Sequence, residues 1–192
     1  MTKTVASGSV RHHLRDATAA LHSDTERGFA GLNLATFADY RVFLAANAAA
    51  VAPLEAWAEA AGAADVLPDW PARRRAAALA ADLADLGAGQ APVPISPDLG
   101  PASVSALFGA LYVLEGSRLG GRVILDMIVR QADPRVLLAT RFLRHGDGLR
   151  LWPTFVASLE AFVTGGESLR IATAAAQAAF RCFAAAQRTV AQ

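Results

Sequence analysis

Gly109-Ala110-Leu111-Tyr112-Val113-Leu114-Glu115-Gly116-Ser117-Arg118-Leu119-Gly120-Gly121-Arg122 carries two opposed signals. Its Leu, Ala, Glu and Arg content predicts helix, extending from Pro101 to about Arg130. Yet three glycines fall between positions 116 and 121, and each costs a helix about 1 kcal/mol relative to alanine. At about 100° per residue, Gly109, Tyr112, Gly116 and Gly120 share one face. A face without side chains lets something broad and flat approach the backbone. The glycines also predict a break or bend that frees amides and carbonyls for polar ligand atoms. The competing explanation is close packing of two helices through small residues. A phosphate loop fits poorly, because no strand precedes the glycines and Gly-x-x-x-x-Gly-Lys-Ser/Thr is missing.

Helical character continues on both sides of this stretch. A first helix is predicted from Ser9 to about Arg27, with Gly28 as its stop. A second starts at the cap Thr36-Phe37-Ala38-Asp39 and runs to about Ala61, with a kink at Pro53 and a stop at Gly62. A third spans Pro71 to Gly87. Residues 87–101 hold four prolines and three glycines, and read as a loop. After the glycine helix, Asp133-Pro134 caps a fifth that ends before Gly146. A sixth runs from Trp152-Pro153 to Gly165-Gly166, and a last from Glu167 to Val190. Runs with period-two alternation are absent, so no sheet is expected. These elements predict an all-α, single-domain helical bundle of about seven helices spanning residues 1–192, with residues 1–8 as a flexible N-terminus.

Composition narrows the function classes. A chain of 192 residues with 54% hydrophobic and 18% charged residues can bury a real core and is not disordered. Eighteen Lys+Arg balance seventeen Asp+Glu, and Lys3 is the only lysine. That balance announces no basic face for nucleic acid. The longest apolar stretch, Val42 to Ala52, is too short to span a bilayer. The N-terminus lacks the basic-then-apolar pattern of a secretory signal. Cys182 is the only cysteine, which excludes an internal disulfide and Cys-x-x-Cys metal sites. A cytoplasmic location, with neither nucleic acid nor membrane as partner, is the expectation.

Four histidines remain: His12, His13, His22 and His145. None lies in His-Glu-x-x-His or Glu-x-x-His, so a metal caged by several protein ligands is not expected. Arg15, Thr18, His22 and Glu26 share one face of the first helix, beside the apolar strip Leu14, Ala17 and Leu21. Such a histidine, with an acid one turn on to fix its second ring nitrogen, can be an oriented metal ligand. It can equally be a half-buried structural histidine beside a surface acid. His12 and His13 read as surface residues, and His145 as a cation complementing a helix end.

Two segments together resemble the heme oxygenase family, most closely its bacterial, phytochrome-associated branch. Leu14-Arg15-Asp16-Ala17-Thr18-Ala19-Ala20-Leu21-His22-Ser23-Asp24-Thr25-Glu26 looks like the family's proximal-helix motif. Tyr112-Val113-Leu114-Glu115-Gly116-Ser117-Arg118-Leu119-Gly120-Gly121 looks like its distal-helix motif. The resemblance implies that His22 is the axial ligand of heme iron, that Glu26 is its neighbouring acid, and that Arg15 contacts a heme propionate. It implies that Gly116 and Gly120 lie over the heme, with Tyr112 and Gly121 completing the heme-contacting set. Gly116, Ser117 and Gly120 are then the catalytic positions, steering oxygen and delivering protons through water. Mammalian-type enzymes carry Asp where this chain has Ser117, whereas bacterial relatives also carry Ser.

The function so implied is opening of heme, at once substrate and cofactor, to biliverdin, carbon monoxide and ferrous iron. O2 is consumed, and electrons come from an external reductase or ferredoxin, since the chain has no flavin or nicotinamide fingerprint. A bacteriophytochrome is a possible acceptor of the biliverdin. Arg73-Arg74-Arg75 offers a basic cluster for docking the reductase, or simply a solvated helix face. The alternatives are a non-catalytic heme or tetrapyrrole carrier or sensor on the same fold, a helical His-phosphotransfer module using His22, and a heme-free enzyme of this fold acting on thiamin pyrimidines.

Overall fold

Side-chain caps start several helices where the sequence places them. The Ser9 hydroxyl accepts the His12 amide and opens α1 (Val10–Phe29). Thr36 accepts the Asp39 amide and opens α2 (Phe37–Ala60). In the computed structural model, which describes residues 9–87 and 92–190, α3 (Ala63–Val66), α4 (Trp70–Arg73) and α5 (Ala76–Asp85) follow. The next helix, α6 (Val104–Ile128), starts three residues later than the expected Pro101, because the Ser103 hydroxyl accepts the Ala106 amide and sets its first turn. Asp133, with Pro134 behind it, caps α7 (Pro134–Leu138). Then come α8 (Arg141–Arg144), α9 (Leu151–Phe162) and α10 (Gly166–Val190). The expected N-terminal segment, residues 1–8, lies outside the described residues. No helix among the described residues is long and apolar enough to cross a membrane.

Among the described residues ten helical segments stand where about seven helices are expected, for a reason that local sequence does not carry. The helix expected over 71–87 is split because Arg74 is extended (ψ 131°) between α4 and α5. The new start of α5 is capped from afar, by Glu55 of α2, whose carboxylate accepts the Arg75 and Ala76 amides at 2.7 and 3.0 Å. Asp82 of α5 does the same for α8, accepting the Arg141 and Phe142 amides at 3.1 and 2.8 Å. Buried carboxylates thus satisfy helix N-termini that lack a cap of their own.

Proline shapes the 92–101 loop through α2. Pro53 leaves α2 uninterrupted, but it has no amide for the Ala49 carbonyl. That carbonyl accepts the Ile95 amide of the loop instead, at 2.9 Å. The loop is thereby docked onto the bundle, with Leu99 buried, and is no linker between separate bodies.

One apolar core runs from Leu14 on α1 to Ala186 on α10. Leu14, Leu44, Leu107, Phe108 and Leu111 are fully buried, each worth about 1.5–3 kcal/mol relative to exposure. Helix α10 packs against α6, α1 and α2, and its alanines keep those partners close: Ala172, Ala176 and Ala179 are all fully buried. Glycine completes two of these seams. A Cβ on Gly109 of α6 would overlap the Ala172 carbonyl, and one on Gly28 of α1 would overlap the Gln187 carboxamide. Gly28 therefore lies inside α1 as a packing residue, and the helix ends beyond it, at Phe29.

Candidate functional site

Helix α10 is the common neighbour of the two motif helices. Its Gln177 and Gln187 donate to the Ala17 and Thr25 carbonyls of α1, while Ala172 abuts Gly109 of α6. The side of α1 that carries Arg15, His22 and Glu26 is thus set beside α6. Tyr112 demonstrates the approach. It is half-buried on α6, and burial pushes its hydroxyl pKa up against the opposing charges of Arg15 and Arg11 and the Thr18 hydroxyl, all on α1.

His22 is a presented imidazole, with 60% of its side chain exposed and Nδ1 3.6 Å from Glu26 Oε2. The ring stands edge-on to Phe180 of α10, with centroids 5.7 Å apart at 70°. An acid on the Nδ1 side leaves Nε2 as the nitrogen available to a ligand. The half-buried structural reading does not fit this exposure. Arg15 is exposed and, among the described residues, paired with its neighbour Asp16, at 3.1 Å. Such a surface pair is weak and readily exchanged for an incoming carboxylate. His12 and His13 are exposed, as expected. Among the described residues no three His, Cys, Asp or Glu side chains converge on a metal position.

Helix α6 passes through Gly116, Gly120 and Gly121 without a break, so the expected opening of its backbone does not occur. The glycines instead divide by environment. Gly109 is sealed by α10, as the small-residue packing explanation requires. A Cβ on Gly120 would meet nothing within 4 Å, and one on Gly116 would make only ordinary contact, 3.8 Å from the Trp152 ring. Gly121 is turned away from this face and would meet Leu143 of α8 at 3.5 Å. The open face continues one turn at a time into Val123 and Met127, 70% and 47% exposed. Trp152 of α9 stands beside Tyr112, centroids 6.0 Å apart. Val123 and Met127 lie at helical spacing from Gly116 and Gly120, so extending the face in sequence finds them. Phe180 and Trp152 come from distant segments and have no local signal.

Ser117 is held inward. Its hydroxyl donates to the Leu114 carbonyl at 2.8 Å and accepts from Arg75 Nη2 at 2.7 Å. Arg75 belongs to a buried ionic cluster that corrects the reading of Arg73-Arg74-Arg75 as a surface. Arg73 is fully buried, donating to Asp69, Glu115, Thr154 and the Leu151 carbonyl. Arg118 grips Glu115 from the other side, with Nε and Nη2 each 3.1 Å from its carboxylate. Arg75 is 3% exposed and stacks over Phe142 at 4.8 Å. Only Arg74 reaches solvent, 3.6 Å from Glu59. The break in the helix at Arg74 is what turns its neighbours inward. His145 joins the cluster, its Nδ1 3.0 Å from Arg118 Nη1. Because arginine only donates, that nitrogen accepts. Burial, then the charges of Arg118 and Arg75, hold the His145 pKa below the usual histidine value. The reading of His145 as a helix-end cation is therefore overturned.

A separate groove of about 510 Å³ lies on the α1–α10 seam, lined by Leu21, Asp24, Gly28, Arg181, Ala184, Gln187 and Arg188. Leu21, Asp24 and Gly28 lie about 100–160° round α1 from His22, so this groove opens on a different face of the helix from the imidazole.

No family model matches the chain. A heme oxygenase of Xanthomonas campestris pv. campestris (strain 8004) is 38% identical over 115 residues, covering 59% of this chain and 67% of the relative. The crystal structure of the NO- and CO-bound heme oxygenase of Neisseria meningitidis superposes with a TM-score of 0.78 at 22% identity, over 96% of this chain and 92% of that one. That likeness establishes the all-α fold, and the identity to the Xanthomonas protein over two thirds of its length establishes kinship: this chain belongs to the heme oxygenase family.

Proposed function

We propose that this protein is a heme-degrading monooxygenase that binds heme between α1 and α6 and opens it to biliverdin. The observation that carries the site is the contrast along one face of α6. Gly109 has a packing partner in α10, whereas Gly120 faces open space. A glycine that costs helix stability and packs against no protein atom is explained by a flat ligand lying on the backbone.

The residues fit heme. His22 supplies Nε2 to the iron, with Nδ1 directed by Glu26. Phe180 keeps the imidazole plane from swinging. The Arg15 charge is felt at the Tyr112 hydroxyl across the two helices, and the two would make a cationic, hydroxyl-bearing end suited to a propionate. Gly116 and Gly120 would admit the macrocycle, and the exposed Val123 and Met127 would offer it apolar contact. Gly121, beside Leu143 of α8, lies off this face. Bound heme supplies both the oxygen-activating iron and the ring that is cut, releasing carbon monoxide and ferrous iron. The glycine backbone of α6 would restrict the directions open to oxygen at bound heme, and the Ser117 hydroxyl, which donates to the Leu114 carbonyl in this structure, is the side-chain group proposed for proton delivery through water.

O2 and an external reductase or ferredoxin are the co-reactants. A bacteriophytochrome is the proposed biliverdin acceptor, and the cytoplasm the proposed location. The chain acts as one domain in this reading. A carrier or sensor that holds heme without turnover shares the same site. Hemin titration of the purified chain, followed by ascorbate or reductase, separates the two. The oxygenase gives a Soret band at one heme per chain that decays as a biliverdin band grows. A stable Soret band under reductant identifies the carrier, and no stoichiometric binding overturns both.

A further inference from the structure

We propose that Glu160 is a positioning residue for heme binding: capping the first turn of α1 from α9, it fixes the spacing of α1 and α6 at their Arg15–Tyr112 end. The proposal rests on the heme oxygenase reading. It is carried by where the first amides of α1 go, since a helix start leaves its leading N–H groups without partners inside the helix. The His13 amide is the first with such a partner, the Ser9 carbonyl at 3.1 Å. Of the three before it, His12 donates to the Ser9 hydroxyl at 3.4 Å. The Val10 and Arg11 amides go to another helix. Glu160 Oε2 accepts from Val10 and Oε1 from Arg11, both at 3.0 Å. One carboxylate thus places both of its oxygens on a single turn of α1, from a residue 150 positions along the chain.

Helix α9 is in turn seated on α6. Trp152 stands beside Tyr112, and Phe155 and Phe162 lie against Phe108 with centroids 6.0 and 5.2 Å apart. Elsewhere α1 is held by α10, through the Gln177 and Gln187 bonds further along it. The brace formed by α9 therefore runs from the Tyr112 side of α6 to the start of α1, the end that carries Arg11 and Arg15. Both of those charges are felt at the Tyr112 hydroxyl. Arg15 follows Arg11 by about one turn, so a first turn that frays or tilts carries its guanidinium away from Tyr112. The charge on Glu160 suits the task, because an anion complements a helix N-terminus and its hydrogen bonds are the stronger kind. Burial raises the Glu160 pKa, but the Arg11 amide, the Ser9 hydroxyl, the Val10 amide and the Arg11 charge together hold it below the usual glutamate value.

The test uses the full chain and compares wild type, Glu160→Ala, Glu160→Gln and Thr36→Ala. Hydrogen–deuterium exchange in the heme-free chain, resolved by NMR, reads the clamp at the Val10 and Arg11 amides. Transfer of bound hemin to excess apomyoglobin, followed at the Soret band, reads its effect on the site. Glu160→Ala is expected to speed exchange at both amides and to release hemin about tenfold faster, the scale of losing a strong cap. Glu160→Gln keeps one acceptor oxygen and falls between. Thr36→Ala removes the cap of α2 and lowers the urea midpoint, yet leaves hemin release at the wild-type rate, which a merely structural role for Glu160 would not distinguish. Unchanged exchange in Glu160→Ala, release at the wild-type rate, or equal acceleration in Thr36→Ala overturns the proposal. Should Glu160→Ala fail to fold, wild-type release from Glu160→Gln does the same. A wild-type chain that binds no hemin overturns the reading of the site itself, and is seen before any variant is compared.

Discussion

His22 and Glu115 mark the two extremes of side-chain setting in this protein, one presented to solvent and the other sealed at 1% exposure. His22 makes an edge contact with Phe180 and a loose pair with Glu26, so little stability depends on it. His22→Ala is expected to change the unfolding free energy by under about 0.5 kcal/mol, the usual range for a surface site. The same variant weakens or alters the Soret band on hemin titration. Unchanged heme ligation in that variant would remove His22 from the site. Glu115 is the reverse case. It accepts from Arg73 and Arg118, so Glu115→Ala leaves the buried Arg118 without its carboxylate and Arg73 with Asp69 alone. A loss of about 3–5 kcal/mol is expected in urea denaturation, and a loss below about 1 kcal/mol would show that the cluster relaxes or hydrates.

On α6 the glycines separate stability from binding. Gly109 sits against the Ala172 backbone, whereas Gly120 has open space around it. Gly109→Ala forces α6 and α10 apart and is expected to cost about 1–3 kcal/mol by overpacking. Gly120→Ala gains helix propensity without a clash, stabilising the heme-free chain by about 0.5–1 kcal/mol, while it weakens hemin binding. Thermal unfolding without heme and Soret titration of both variants check the pair. Destabilisation by Gly120→Ala would mean that the face is packed by protein after all.

Across the whole molecule the buried charges give stability a pH dependence of calculable sign. His145 has its folded pKa held below the unfolded value, so the unfolded chain binds the extra proton between the two. Stability is therefore full above the unfolded histidine pKa of about 6.5. It is lost as pH falls from there toward the folded value. His145→Asn keeps an acceptor for Arg118 and cannot take the proton. Urea midpoints between about pH 5 and 7 should fall less steeply with acid in this variant than in wild type, and parallel profiles would exclude His145 as the source. Glu55 and Asp82 act in the opposite sense. Burial, their largest influence, raises both pKa values. The folded chain then holds the extra proton in the window just above the ordinary carboxylate pKa, and their contribution weakens as pH rises through it.

The sequence by itself determined the helical class, the caps at Ser9, Thr36 and Asp133, and the two motif helices, because caps and helical faces are set within a turn or two of chain. The face shared by Arg15, His22 and Glu26 and the run Tyr112, Gly116, Gly120 were legible for the same reason. Tertiary structure decided which glycine packs and which is open, since Gly109 and Gly120 are alike until α10 lies on one of them. It also decided that Arg73 and Arg75 are buried while Arg74 is not. The carboxylates that cap α5 and pair with Arg73 come from Glu55 and Glu115, twenty and forty-two residues away. Burial of a charge depends on a partner supplied through space, and no local pattern encodes a partner so far along the chain.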